Sequence, residues 1–203
     1  MKKQILWWLV FLIAATPFVM FNLIYVISPR TLGIDPIDIL LQESGEWTLR
    51  FLLATLACSP LKRLGLKQAS RFRRMIGLYT FFYGTWHLLL YVVGWLQLDW
   101  VTFAEDLVKR PFIYIGMLTW GLLLVLAVTS PKWMVKRLRK NWVLLHRLIY
   151  VSVTGAWVHL WMQSRASSSE ALMYLAIGGL LLLERILRKA GSPRFKVKKV
   201  AKA

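Results

Sequence analysis

Residues Trp142–Gln163 read WVLLHRLIYVSVTGAWVHLWMQ. The stretch is long and apolar enough to cross a bilayer as a helix, yet it carries two histidines, His146 and His159. Thirteen residues at 1.5 Å rise separate the two imidazoles by about 20 Å along a straight helix, and thirteen steps turn them by about 220° to different sides. Two nitrogen ligands in a segment that should avoid polar groups point to chemistry rather than to packing.

The rest of the chain has the same character. Of 203 residues, 58% are apolar and only 18% charged, with long apolar runs throughout; this composition is that of an integral membrane protein. The formal net charge of +18 would suggest nucleic acid in a soluble protein. Here the basic residues gather between and after apolar runs, where the positive-inside rule and anionic lipid account for them, so no nucleic-acid partner is expected. The single cysteine, Cys58, excludes an internal disulfide and a thioether-linked haem, and also zinc or iron–sulfur sites made of several thiolates. The basic start MKKQ is followed by an apolar run too long for a signal peptide, which reads as an uncleaved first span.

Six stretches meet the length needed to cross the hydrocarbon core: Ile5–Ile27, Trp47–Leu64, Met75–Leu98, Phe112–Ser130, Trp142–Met162 and Ala171–Leu187. The connections after the second and fourth, and the tail after the sixth, are rich in Lys and Arg. The first and third carry Asp35, Asp38, Glu43, Glu46, Asp99, Glu105 and Asp106. The alternation predicts an all-α, multi-pass inner-membrane protein: a six-transmembrane-helix bundle with both termini in the cytoplasm. Residues 1–189 form one membrane domain and 190–203 a basic cytoplasmic tail. Asp35 and Pro36 open a short interfacial helix over DPIDILLQESGE, ahead of the second span. No internal repeat is evident, which argues against a repeat-built transporter. The tryptophans near span ends form an interfacial belt.

The third histidine, His87, lies in FFYGTWHLLLYVVG, so all three fall in predicted spans and none in loops or tail. Structural imidazoles bonded to neighbouring helices are the bland reading. Three of three on two helices favours axial ligation of non-covalent haem, for which neutral imidazole is a strong ligand. Gly84 and Gly155 stand three and four residues before His87 and His159, on the same helix faces, where small residues admit a macrocycle. Arg73, Arg74, Lys140 and Arg147 gather at the cytoplasmic end as partners for propionates. Counting depth from Met75 and Trp142 pairs His87 with His159, whereas counting from the far ends favours His146. Counting leaves the pairing open. The histidine-bearing spans hold no carboxylate, so a di-iron site is disfavoured; neither an HExxH motif nor a serine–histidine–acid set lies at membrane depth. Glu184, beside Arg185, reads as a local ion pair rather than a proton relay.

Four motifs resemble one family: residues 32–64, LGIDPIDILLQESGEWTLRFLLATLACSPLKRL; residues 71–91, RFRRMIGLYTFFYGTWHLLLY; residues 110–130, RPFIYIGMLTWGLLLVLAVTS; and residues 142–161, WVLLHRLIYVSVTGAWVHLW. They resemble the MsrQ (YedZ) family, haem-binding membrane subunits within the ferric reductase-like superfamily. The resemblance implies haem b, one or two per chain, with FMN as a further cofactor. It implies His87, His146 and His159 as ligands of haem iron, with Arg74, Arg147, Gly84 and Gly155 as propionate or packing residues. It implies a periplasmic MsrP-type molybdoenzyme as electron acceptor, and the quinone pool or a cytosolic flavin reductase as donor. The superfamily has two histidines on each ligand helix. Here the position thirteen before His87 is Arg74, a register that pairs His87 with His159 and leaves His146 alone or with another partner.

The expectation is an electron-transfer subunit that passes electrons across the membrane for repair of oxidised methionine and performs no substrate chemistry itself. A stand-alone ferric or quinone reductase is the alternative with the same haem. A transporter or assembly protein with structural histidines is the alternative without it.

Overall fold

The computed structural model describes residues 2–163 and 168–191. Helix α1 (Lys2–Ile27) is followed by a 3₁₀ turn and α2 (Pro36–Arg63); α3 (Ala69–Leu89) runs on through a π-helical turn, Leu90–Trp95. Then come α4 (Trp100–Lys109), α5 (Pro111–Val128), α6 (Lys132–Leu138), α7 (Lys140–Leu145), α8 (Leu148–Gln163) and α9 (Ser168–Gly191). Among the described residues there is no strand. The greater part of the predicted tail, and Arg165 of the fifth connection, lie outside them.

Among the described residues, four stretches are both long and apolar enough to cross a membrane: Gln4–Ile27, Ala69–Trp95, Pro111–Val128 and Lys140–Gln163. Helices α2 and α9, with 28 and 24 residues, have the length but carry charges inside it. Those charges are internally satisfied. On α2, Arg50 bridges Glu46 and, at 3.5 Å, Glu43, and its Nε donates to Tyr174 Oη of α9 at 2.9 Å.

The structure corrects the expected reading at three places. The DPIDILLQESGE segment is no separate interfacial helix. Asp35 caps it by accepting from Ile37 N–H at 3.1 Å and Asp38 N–H at 3.3 Å, with Pro36 in the first turn, as read from the sequence. It then continues unbroken into the second span, because Gln42 and Arg50 satisfy Glu46 within the same helix. The fifth span, expected to be continuous, breaks into α7 and α8 at His146 and Arg147, where Arg147 N–H bonds three residues back to Leu144 O at 3.1 Å. The 220° relation of a straight helix therefore does not hold. Glu184 pairs with Arg63 and Arg188 rather than with its neighbour; Arg185 donates to Tyr150 Oη and to Leu56 O.

The two most extensive helix pairings are α2 with α3 and α5 with α8. In a bilayer the lipid is as apolar as the side chains, so close approach over small residues takes the place of a hydrophobic drive. Gly77 and Gly84 of α3 face Thr55 and Thr48 of α2, and Gly155 of α8 packs directly against Thr119 Oγ1 of α5, leaving no room for a Cβ. One apolar cluster joins α2, α5, α8 and α9 around Leu52, Leu56, Leu123 and Val153.

A second cluster docks α1 onto α3 around Ala14, Tyr79, Tyr83 and Trp86. Tyr83 is fully buried; its hydroxyl donates to Ala14 O at 2.9 Å and accepts from Phe18 N–H at 3.0 Å. Those groups lie four residues apart, the spacing of a helical bond. The hydroxyl is wedged where Pro17 loosens the ladder. Tyr83→Phe leaves a buried donor and acceptor without it and is expected to lower stability by about 1–3 kcal/mol. Tyr79→Phe, which loses one bond to Phe11 O, should cost less. Thermal unfolding of both variants in detergent checks this; equal midpoints for Tyr83→Phe and wild type would contradict it.

Candidate functional site

His87 sits near the end of α3, just ahead of the π-helical turn, a widening of the helix often found beside functional groups. Across from it α2 presents a glycine. A Cβ on Gly45 would lie 3.1 Å from His87 Cε1 and 3.2 Å from Nδ1. One turn before Gly45, the Leu41 carbonyl accepts a hydrogen bond from His87 Nδ1 at 2.9 Å. Inside a helix the side chain at position i shields the carbonyl at i−4, so a glycine there leaves the oxygen's second lone pair open to an approaching ring.

The same device occurs a second time. His159 of α8 rests on Gly116 of α5, where a Cβ would lie 2.8 Å from both Cε1 and Nδ1 of the ring. His159 Nδ1 donates to the Phe112 carbonyl, again four residues before the glycine, at 2.6 Å. A carbonyl can only accept. The proton of each ring is therefore on Nδ1, and each Nε2 carries its lone pair outward. The two rings lie with centroids 6.0 Å apart and planes at 90°. Both retain accessible surface although they lie inside the bundle. Ser44, fully buried, adds a hydroxyl that donates to Leu41 O at 2.9 Å and lies 3.2 Å from His87 Nδ1.

His146 stands apart from this pair. Its ring stacks on Trp142 of α7 with centroids 3.9 Å apart, and its Nδ1 donates to the Trp142 carbonyl at 3.2 Å. It lines a cavity of about 790 Å³ at the basic end of the bundle, together with Arg73, Arg74, Gly77, Trp142 and Arg147. Of the residues singled out in the sequence, Arg74 and Arg147 thus accompany His146. Gly84 and Gly155 serve helix contacts, against Thr48 and Leu123 and against Thr119. The glycines beneath the histidine rings, Gly45 and Gly116, were missed. Their signal was present: each is a glycine within a predicted helix where no turn is needed.

Among the described residues no group of three or more His, Cys, Asp or Glu is placed to hold a metal ion. Two imidazoles alone suit an iron whose other positions are filled by a macrocycle, as in axially ligated haem. The spacing agrees: metal–nitrogen bonds of about 2 Å on both sides put facing imidazole centroids roughly 6 Å apart. Locked Nδ1 protons and carbonyl-oriented rings are the usual outer-shell arrangement of ligand histidines. The donor set fits the group.

Helical membrane architecture with facing histidines is the layout of a transmembrane redox protein, and comparison with known families agrees. The ferric reductase like transmembrane component family matches residues 44–157, a range that includes Gly45, His87, Gly116 and His146 and stops two residues short of His159. A protein-methionine-sulfoxide reductase heme-binding subunit MsrQ from Xanthomonas oryzae pv. oryzae is 40% identical over 171 residues, covering 84% of this chain and 78% of the relative. The protein of that name from Xanthomonas campestris pv. campestris is 42% identical over 166 residues, 80% of this chain and 75% of the relative. The one from Brucella ovis is 37% identical over 164 residues, 81% and 74%. The chain belongs to the MsrQ family of ferric reductase-like transmembrane proteins.

Proposed function

We propose that this chain is the haem-binding, electron-transferring membrane subunit of a protein-methionine-sulfoxide reductase system. The observation that carries the reading is the His87–His159 pair, 6.0 Å between centroids, with each ring seated on a glycine. Bound there, haem b would supply a one-electron iron couple. His87 and His159 would be its axial ligands. The Leu41 and Phe112 carbonyls hold both rings in the liganding tautomer and raise their basicity, which with burial sets the potential. The basic-end cavity is assigned to a second redox group, a further haem held by His146 or FMN, with Arg74 and Arg147 toward its acidic groups. Its volume lies within the range of cofactor sites.

In this reading α2 and α9 complete a six-span bundle with both termini on the cytoplasmic side of the bacterial inner membrane, supported by the Lys and Arg bias of the loops. Electrons enter at the basic end from the quinone pool or a cytosolic flavin reductase. They leave at the acidic end to a periplasmic MsrP-type molybdoenzyme that carries the sulfoxide chemistry.

The purified protein should show a Soret band and a dithionite-dependent α band; a protein lacking both refutes the reading. The perpendicular imidazole planes make a further expectation. With haem held by both rings in that arrangement, the ferric form would be expected to give a strongly anisotropic low-spin electron paramagnetic resonance signal. A rhombic signal typical of parallel planes would contradict the His87–His159 pairing. Oxidation of the reduced protein by an added periplasmic molybdoenzyme and methionine sulfoxide tests the partner; no oxidation would favour a stand-alone reductase.

A further inference from the structure

The basic-end cavity holds more positive charge than its protein surroundings balance. Among the described residues its only carboxylate is Glu184, already bonded to Arg63 and Arg188. Among the described residues Arg73, Arg74, Arg147 and Arg185, all lining the cavity, make no ion pair. Two of them converge. Arg73 from α3 and Arg185 from α9 each point a guanidinium nitrogen at the same hydroxyl, Ser59 Oγ of α2, at 3.5 Å. Arg185 is fixed there by further bonds to Tyr150 Oη and, at 2.9 Å, Leu56 O, and its guanidinium lies over the Tyr150 ring.

Two like charges brought to one neutral acceptor repel, and an anion placed between them would relieve that repulsion. Guanidinium is also the group that binds oxyanions through two parallel bonds. One phosphate group, with a charge of about −1.5 to −2 and three acceptor oxygens, can answer both guanidinium groups at a single point. The neighbouring walls are apolar or aromatic, with Leu123, Leu126, Ile149 and Trp142, so the charged head belongs to a ligand with an apolar or planar body.

We propose that Arg73 and Arg185, with Ser59 between them, form a phosphate-binding site in this cavity. The proposal deepens the reading of the cavity as a second cofactor site and rests on it for one candidate carrier, FMN. The other source of the same chemistry is the headgroup of an anionic phospholipid, for which basic pockets between membrane helices are suited.

The test uses the full-length purified protein in phosphatidylcholine nanodiscs. Binding of FMN and of riboflavin, which differ only by the phosphate, is read by quenching of flavin fluorescence. Phosphatidylglycerol retention is read by native mass spectrometry. In a soluble-carrier site FMN binds at least about tenfold tighter than riboflavin, the scale of a lost charge-assisted contact; Arg73→Gln and Ser59→Ala narrow that gap, and Arg71→Gln, an exposed arginine outside the cavity lining, leaves it. In a lipid site phosphatidylglycerol is retained by wild type and lost in Arg73→Gln but not Arg71→Gln. Either outcome supports the site and names its source. The proposal is overturned if neither ligand prefers wild type over Arg73→Gln. Arg185→Gln should behave like Arg73→Gln; if it fails to fold, because Arg185 also ties α9 to α2 and α8, Arg73→Gln and Ser59→Ala carry the test. The Soret spectrum of the same variants separates the two readings: an intact spectrum with no phosphate preference sinks this site alone, and an absent spectrum in wild type sinks the haem assignment.

Discussion

Alanine at His87 or at His159 is expected to abolish the low-spin spectrum of the pair, while alanine at His146 leaves that spectrum in place. Each of the first two supplies one of two neighbouring rings 6.0 Å apart between centroids, and His146 lies in a separate cavity. Losing either ring would leave the iron with one of its two ligands, so haem content should fall by roughly tenfold or more, at least the lower end of the range seen when only the support of a metal ligand is removed. Haem-to-protein ratio and reduced-minus-oxidised difference spectra measure it. Two results would refute the pairing: unchanged content in both outer variants, or loss of the pair's signal in His146→Ala.

The second large effect comes from a residue that ligates nothing. Gly116→Val places branched carbon where even a Cβ would stand 2.8 Å from the His159 ring. The ring must leave the Phe112 carbonyl, and with it the orientation that presents Nε2. Gly116→Val should lose haem nearly as completely as His159→Ala while the protein stays folded. Gly45→Ala, with its nearest ring atom at 3.1 Å, should weaken binding less, and Gly121→Ala, where nothing lies within 4 Å of the new atom, should change nothing. Haem content across this series at equal detergent-extracted yield is the measurement. A Gly116→Val protein with full haem content would show that the glycine seat has no part in presenting the ligand.

Much of the bundle was legible in the sequence because membrane spans are specified by composition. Hydropathy and loop charge located α1, α3, α5, α8 and the approximate extent of α9 without any knowledge of contacts. Where reading failed, tertiary satisfaction of polar groups had overridden local pattern. Glu43, Glu46 and Arg50 look like the end of a loop and the start of a span, yet they lie within α2 because they satisfy one another and Tyr174. His146 looked like part of a continuous span, four residues inside its start, but its stacking on Trp142 accompanies a break in the helix. The histidines themselves stood out because imidazole is rare at membrane depth. Their pairing could not be counted from span edges, since tilt and edge error are as large as one helical turn. The supporting carbonyls of Leu41 and Phe112 were invisible for a simpler reason: every residue has a carbonyl, and only the fold says which one is uncovered.

The recurrence of a glycine, a bare carbonyl one turn earlier and a ring from the paired helix means that the site is made of two half-sites. One belongs entirely to α2 and α3, the other to α5 and α8. The first is complete once the chain has been synthesised as far as His87; the second waits for His159, more than seventy residues later. Neither half can saturate an iron by itself. Cofactor capture would therefore be a late event that reports the docking of the two helix pairs, with the bound group acting as a clasp between them.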